Sequence, residues 1–170
     1  EAMREEAEAK GYRTLLLSSQ VTGEAREIAK FYAALGRDLA TRSLPLQSPA
    51  CVLAGGETTV TIQGSGRGGR NTEAALSFLA EIERKPETYR GVTFVSFATD
   101  GNDGQTDSAG GVASAALLET ARARGASIQE YLGRNDSFTF FEELGVQLRC
   151  GATKTNVCDL HILFFDSPSQ

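Results

Sequence analysis

The stretch TTVTIQGSGRGGRNTEAALSFLAEI, residues 58–82, joins three local patterns in direct succession. It begins with a β-branched run at residues 58–63, which predicts a strand. A glycine-rich run follows at residues 64–71. Apolar side chains then recur at helical spacing, which predicts a helix over residues 71–84. A strand, a glycine loop and a helix in this order are typical of α/β folds.

The rest of the chain alternates between the same patterns. Short apolar runs predict further strands, and helical spacing predicts further helices. The predicted strands cover residues 12–18, 50–54, 92–98, 146–150 and 160–165, and the helices cover residues 1–10, 24–42, 112–124 and 138–144. Gly55 and Gly56 predict a sharp bend before the strand at 58–63. Without a linker or an internal repeat, the sequence predicts a single α/β domain, a mixed β-sheet flanked by helices.

Composition limits the classes of partner. The formal net charge is −5, which argues against nucleic acid because phosphate contacts dominate such binding. No apolar run approaches the roughly 20 residues of a membrane helix, so we expect no membrane partner. Three cysteines without CxxC spacing indicate reduced thiols and a cytoplasmic location, with an organellar matrix as the alternative. The composition of the first ten residues is typical of the interior of a helix, so we expect the chain to be a piece of a longer protein.

The glycine loop fits two nucleotide-binding templates only in part. Gly64, Gly66 and Gly69 match GxGxxG between a predicted strand and a predicted helix. The acidic residue that a dinucleotide site requires about 20 positions later is missing at the end of the next strand. A P-loop requires Lys and Ser or Thr where this chain has Arg70 and Asn71. Neither template is satisfied.

The chemistry of the loop nevertheless indicates an anion. Backbone amides at a helix N-terminus favour negative charge, and Arg67 and Arg70 add planar donors suited to carboxylate or phosphate. The alternative is a flexible loop whose arginines are merely solvated. The candidate substrate or phosphate ligands beside Arg70 are Arg67, Gly66, Gly68, Gly69 and Asn71.

A second polar loop, ATDGNDGQTDSAGG at residues 98–111, follows the strand at 92–98. Asp100 and Asp103 are candidate Mg²⁺ ligands, and Asp100 is also a candidate base for a hydroxyl. The alternative is a turn in which aspartates cap backbone groups. Asp107 is a further candidate in this loop. Other loops add the polar candidates Asn135, Thr155 and Asn156.

Four motifs in order resemble a known family. They are GGETTVTIQGSGRGGRNTE, ATDGNDGQTDSAGGV, NDSFTFFEELG and TKTNVCDLHIL. This order is similar to the MOFRL domain, the C-terminal domain of the class II glycerate 2-kinases, a family once described as hydroxypyruvate reductases. The resemblance extends from about residue 12 to residue 165. Thr72, Ala152 and Lys154 depart from the residues usual in these motifs.

The resemblance implies a function and a partner. Residues 1–170 would form the C-terminal domain, and a larger N-terminal Rossmann-like domain, absent from this chain, would supply the other wall of the active site. The family transfers phosphate from ATP with Mg²⁺ to the 2-hydroxyl of D-glycerate. The family motifs imply that Arg70 and Asp100 are catalytic, with Arg67 in the same motif as Arg70.

The sequence alone leaves three hypotheses on the function. The first is this kinase, with the isolated domain expected to be inactive. The second is an NAD-linked hydroxypyruvate reductase, and the third is a non-catalytic module that binds an anion. A homodimer is compatible with each of them.

Overall fold

The computed structural model describes residues 1–167, in which one mixed sheet organises the chain. The strands lie in the order β1-β2-β5-β3-β4. β1 runs parallel to β2, whereas β5 is antiparallel to both β2 and β3, and β4 is antiparallel to β3. The strands are β1 (Arg13–Glu24), β2 (Ala50–Thr59), β3 (Val92–Ala98), β4 (Gly110–Ser114) and β5 (Asp159–Phe165). The prediction of an α/β domain with a mixed sheet is confirmed.

The helices cover the two faces of the sheet unequally. Two long helices, α2 and α3, pack on one face and enclose the main core, where Phe78 of α3 stacks on Phe94 of β3 at a ring-centroid distance of 4.7 Å. The short helix α1 packs on the other face against a small apolar cluster. The helices are α1 (Ala2–Ala9), α2 (Ala25–Arg42), α3 (Arg70–Arg84), α4 (Ala115–Ala123), α5 (Ile128–Gly133) and α6 (Ser137–Leu144), with a 3₁₀ turn at Pro86–Tyr89.

The predicted bend at Gly55 and Gly56 is wrong, because β2 runs through both glycines and ends at Thr59. β2 is paired on both sides, which keeps the glycines in an extended strand. A Cβ atom at Gly56 would lie 2.0 Å from the carbonyl oxygen of Val21 in β1. The glycine therefore permits a close approach of two strands rather than a turn.

The chain between β3 and β5 also differs from the prediction. Residues 110–114 form β4, and the helix predicted from residue 112 begins only at Ala115, after the N-cap Ser114. The predicted strand at 146–150 is reduced to an isolated bridge between Leu148 and Gly110. Helix α5 was not predicted, because its six residues are too few to show a helical period.

The sheet topology brings three long loops to one edge. The carboxyl ends of β2 and β3 meet the amino end of β5 there, since β5 is antiparallel to both. The loops at this edge are the glycine loop (residues 60–69), the acidic loop (residues 99–109) and the late loop (residues 145–158). Among residues 1–167, no helix is both long and apolar enough to cross a membrane.

Candidate functional site

Arg70 is the first residue of α3 and faces the loop edge of the sheet. Its Nε donates a hydrogen bond of 2.7 Å to Oδ2 of Asp159, the first residue of β5. The Asp159 side chain is fully buried, whereas the Arg70 side chain is 31% exposed. The hydrogen bond to Asp159 raises the pKa of the Arg70 guanidinium above its usual range, so the group stays charged. The buried carboxylate thus holds a cation at the surface.

Asp159 is connected to the core by further hydrogen bonds. Asn71 Nδ2 donates to its Oδ1 at 2.9 Å, and the Thr58 amide donates to its Oδ2 at 3.3 Å. Asn71 is itself buried and accepts a hydrogen bond from the Ser96 hydroxyl at 2.6 Å. The predicted ligand Asn71 therefore supports the site from below and does not face the cleft.

Asp103 occupies the position at the N-terminus of α3 where we expected a bound anion. Its carboxylate accepts hydrogen bonds from the amides of Asn71 and Thr72 at 2.9 and 2.7 Å, and from both side chains at 3.2 and 2.8 Å. Burial raises the pKa of the Asp103 carboxyl, and these four donors oppose that shift. Both oxygens of Asp103 already cap the helix, which disfavours the predicted role of Asp103 as a metal ligand.

The glycine loop packs against the protein rather than opening around a ligand. The Gly66 amide donates to the Arg134 carbonyl, and the Gly69 amide donates to the Thr72 hydroxyl. A Cβ atom at Gly68 would lie 2.3 Å from the Ser137 hydroxyl. The amides of Gly66 and Gly69 are therefore engaged within the protein, and close packing against Ser137 explains the glycine at position 68.

Asn135 and Arg67 tie the same loop to the helices behind it. Asn135 is buried, and its Oδ1 accepts hydrogen bonds from the amides of Gln63 and Gly64. The guanidinium of Arg67 lies 4.3 Å from the ring centre of Phe138 and 3.7 Å from a carboxylate oxygen of Glu142. Arg67 and Arg70 therefore do not converge on one point, contrary to the prediction.

Asp100 lies in the acidic loop at the end of β3 and contacts the late loop. Its Oδ1 accepts a hydrogen bond from the Asn102 amide at 2.9 Å, and its Oδ2 lies 3.5 Å from Nδ2 of Asn156. Asn156 and Thr155 are exposed. These candidates share the loop edge with Arg70. Asp107 is exposed and pairs with Arg149 at 3.1 Å, so it is a surface residue away from this group.

Arg70 lines a cavity of about 540 Å³ between the end of β2 and the glycine loop. Glu57, exposed on β2, lies 3.4 Å from Nη2 of Arg70. Glu73, a buried acid on the cavity wall, is neutralised by Arg26 at 2.5 Å and accepts a hydrogen bond from Asn135. Arg70 is thus the cation that the cavity offers to a ligand, and a planar guanidinium suits a carboxylate or a phosphate.

The donor set does not fit a metal ion by itself. Within residues 1–167, no three His, Cys, Asp or Glu side chains are grouped so that they could hold one. The two carboxylates considered for Mg²⁺ are separated in role, since Asp103 caps α3 and Asp100 faces the late loop. We therefore derive no catalytic step through Mg²⁺.

Sequence reasoning missed two acids of the site, Asp159 and Glu57. One signal was present, because an aspartate that opens the apolar strand DLHILFF must find a partner once it is buried. The sequence offered no comparable signal for Glu57, which lies in a glycine-rich segment.

The fold and the cavity define a class of protein: an α/β domain with one firmly held arginine at the wall of a cavity, beside the carboxyl ends of β2 and β3. The chain belongs to the MOFRL family, whose model matches residues 50–159. This confirms the resemblance found in the sequence.

Relatives and solved structures agree with this assignment. The chain is 38% identical to a protein named glycerate kinase from Macaca fascicularis, over 96% of this chain and 51% of the relative. It is also 38% identical to a D-glycerate 2-kinase from Thermotoga maritima, over 92% of this chain and 36% of the relative. A crystal structure of glycerate kinase from Thermotoga maritima superposes with a TM-score of 0.88 at 38% identity, over 94% of this chain and 37% of that one. A crystal structure of a Pyrococcus horikoshii protein superposes with a TM-score of 0.89 at 33% identity, over 98% of this chain and 37% of that one. The chain thus spans about a third to a half of the length of these relatives.

Proposed function

We propose that this chain is the anion-binding domain of an ATP-dependent glycerate 2-kinase that phosphorylates the 2-hydroxyl of D-glycerate. The observation that carries the proposal is Arg70, a permanent cation fixed by buried Asp159 at the wall of a cavity. The names of the relatives, glycerate kinase and D-glycerate 2-kinase, supply the substrate and the reaction type.

The proposed role of Arg70 is to bind the glycerate carboxylate or the phosphoryl group in transfer. Phosphoryl transfer depends mainly on alignment and charge neutralisation, which a fixed guanidinium provides. The proposed role of Asp100 is to orient the substrate hydroxyl or to accept its proton. Its side chain is half-buried at the same sheet edge, and its Oδ2 has only a long contact to Asn156. Arg67 has no part in this proposal, because it stacks on Phe138.

We propose that the nucleotide binds to a second domain outside this chain. The amides of Gly64, Gly66 and Gly69 already donate to other groups of the protein, so these three amides are not available to cradle a phosphate. The same packing disfavours an NAD-linked reductase, which would need those glycines beside a pyrophosphate. We therefore propose a site completed by a second, larger domain, as the one-third to one-half coverage of the relatives suggests.

The test is a kinase assay on a polypeptide that contains this chain and the proposed larger domain, with Mg·ATP and D-glycerate as substrates. We expect 2-phosphoglycerate as product and a fall in kcat of about 100-fold or more for Arg70→Gln. Arg70→Lys should recover little activity, because a point charge does not reproduce a two-pronged contact. Arg122→Gln, an exposed arginine paired with Glu119, is the matched control and should change kcat less than about twofold. An unchanged rate for Arg70→Gln, or a different phosphorylated product, would contradict the proposal.

A further inference from the structure

Arg70 lies between two carboxylates that differ in their burial and in their distance from the guanidinium. Asp159 accepts the Nε hydrogen bond at 2.7 Å and has no exposed side-chain surface. Glu57 lies 3.4 Å from Nη2, and its side chain is 59% exposed. The inner carboxylate is held in place, whereas the outer one is in contact with solvent.

The inner carboxylate is immobile because three different groups hold it. The Thr58 amide, the Asn71 side chain and the Arg70 guanidinium all donate to Asp159. Because the Asp159 side chain has no exposed surface, water could not replace these donors if the carboxylate moved away from them. Asp159 therefore fixes the direction of the guanidinium whether or not a ligand is present.

The outer carboxylate is replaceable for the opposite reason. An exposed ion pair at 3.4 Å contributes little to stability, because water solvates both partners once they separate. The Glu57 side chain also has room to move. It lines both the Arg70 cavity and a second cavity of about 610 Å³, which is bordered by Leu16 and Cys158. Its Oε2 already accepts a long hydrogen bond of 3.8 Å from the Cys158 thiol at the border of this second cavity.

We propose that Glu57 is a displaceable counterion of Arg70 that lowers the affinity of the site for anions, with Asp159 as the positioning residue that holds Arg70 in place during the exchange. The proposal rests on the proposed function, in which Arg70 binds the anionic group of the substrate. A ligand carboxylate or phosphate takes the place of the Glu57 carboxylate on Nη2. An anion that binds Arg70 only weakly cannot displace the Glu57 carboxylate. Glu57 is therefore a specificity-determining residue.

The first measurement needs no ligand and therefore does not depend on the proposed function. The ¹⁵N-labelled chain is studied by NMR, and solvent exchange of the Arg70 Nε–H is measured. We expect slow exchange in the wild type and in Glu57→Gln, and fast exchange in Asp159→Asn, because only Asp159 bonds this proton. Fast exchange in the wild type, or in Glu57→Gln as well as Asp159→Asn, would overturn the division into a fixed and a replaceable partner.

The second measurement introduces the same substitutions into the longer polypeptide of the kinase assay, which contains the proposed larger domain, and titrates it with D-glycerate and, separately, inorganic phosphate. Glu57→Gln should lower the Kd by about two- to fivefold, and Asp159→Asn should raise it. Glu119→Gln, an exposed glutamate paired with Arg122 on α4, is the control for net charge and should leave the Kd unchanged. An equal or higher Kd in Glu57→Gln would overturn the inference.

Arg70→Gln separates the two proposals. If it abolishes binding while Glu57→Gln has no effect, the function stands and the displaceable counterion does not. If it leaves binding intact, or if neither the wild type nor Glu57→Gln binds either anion, the proposed role of Arg70 is contradicted and the inference falls with it.

Discussion

Replacing Asp103 with Asn or Ala removes the cap that the acidic loop provides for α3. Both carboxylate oxygens are in use, since Oδ1 accepts from the Asn71 amide at 2.9 Å and Oδ2 accepts from the Thr72 amide at 2.7 Å. An asparagine can satisfy one amide but turns its own N–H toward the other. One buried donor then lacks an acceptor, at a cost of about 1–3 kcal/mol. Alanine leaves both amides unpaired, so we expect about twice that loss.

The assay is the free energy of unfolding from urea denaturation of the wild type and the variants, measured with Mg²⁺ and again with EDTA. Asp107→Asn is the matched control in the same loop. Asp107 is exposed and pairs only with Arg149, so its replacement should change stability by less than about 1 kcal/mol. Capping predicts the same loss for Asp103→Asn in both buffers.

Two results would refute this reasoning. Equal stabilities for Asp103→Asn and Asp107→Asn would show that the cap contributes nothing measurable. If EDTA lowers the stability of the wild-type protein but not that of Asp103→Asn, Asp103 is a metal ligand.

Two further predictions concern the core and the glycine loop. Burial lowers the pKa of His161 from 6.5 to about 4. As the pH falls between these two values, the unfolded chain binds a proton at this histidine and the folded chain does not. The free energy of unfolding should therefore decrease by about 3 kcal/mol between pH 7 and pH 4. His161→Asn should show a correspondingly smaller loss in urea titrations at each pH, and an identical pH dependence would contradict the assignment. Gly64→Ala places a Cβ atom 2.3 Å from the Arg134 carbonyl oxygen and should lower the free energy of unfolding by about 1–3 kcal/mol. The control is Gly133→Ala, whose Cβ atom meets no atom within 4 Å. In thermal melts it should not destabilise the protein. Equal melting temperatures for the two alanine variants would count against the close packing.

The helix after the glycine loop illustrates what local pattern can predict. The spacing of Ala75, Phe78, Leu79 and Ile82 predicts an apolar stripe, and all four side chains are fully buried. The predicted start at residue 71 differs from the observed start at Arg70 by one residue. These features are local, because helix periodicity and a glycine-rich N-terminus depend on neighbouring residues only.

The strands show where local pattern fails. The run VTFVSFA at Val92–Ala98 is nearly all apolar, which is typical of a strand covered on both faces, yet its residues alternate between buried and half-buried. Its outer face lies beside the small cluster under α1, where no long helix packs. Which face of a strand is covered depends on the position of distant helices, and the strand's own composition does not contain that information.

The sequence by itself determined the class of fold, the family and the two loops that bear the polar groups. Only the tertiary structure decided what those groups do. It paired Arg70 with Asp159 across 89 residues and turned Asp103 inward as a helix cap. The physical reason is that β5 inserts antiparallel between β2 and β3, and this register alone places its first residue beneath α3. Such contacts depend on strand pairing over long sequence separations, and no local spacing of residues encodes them.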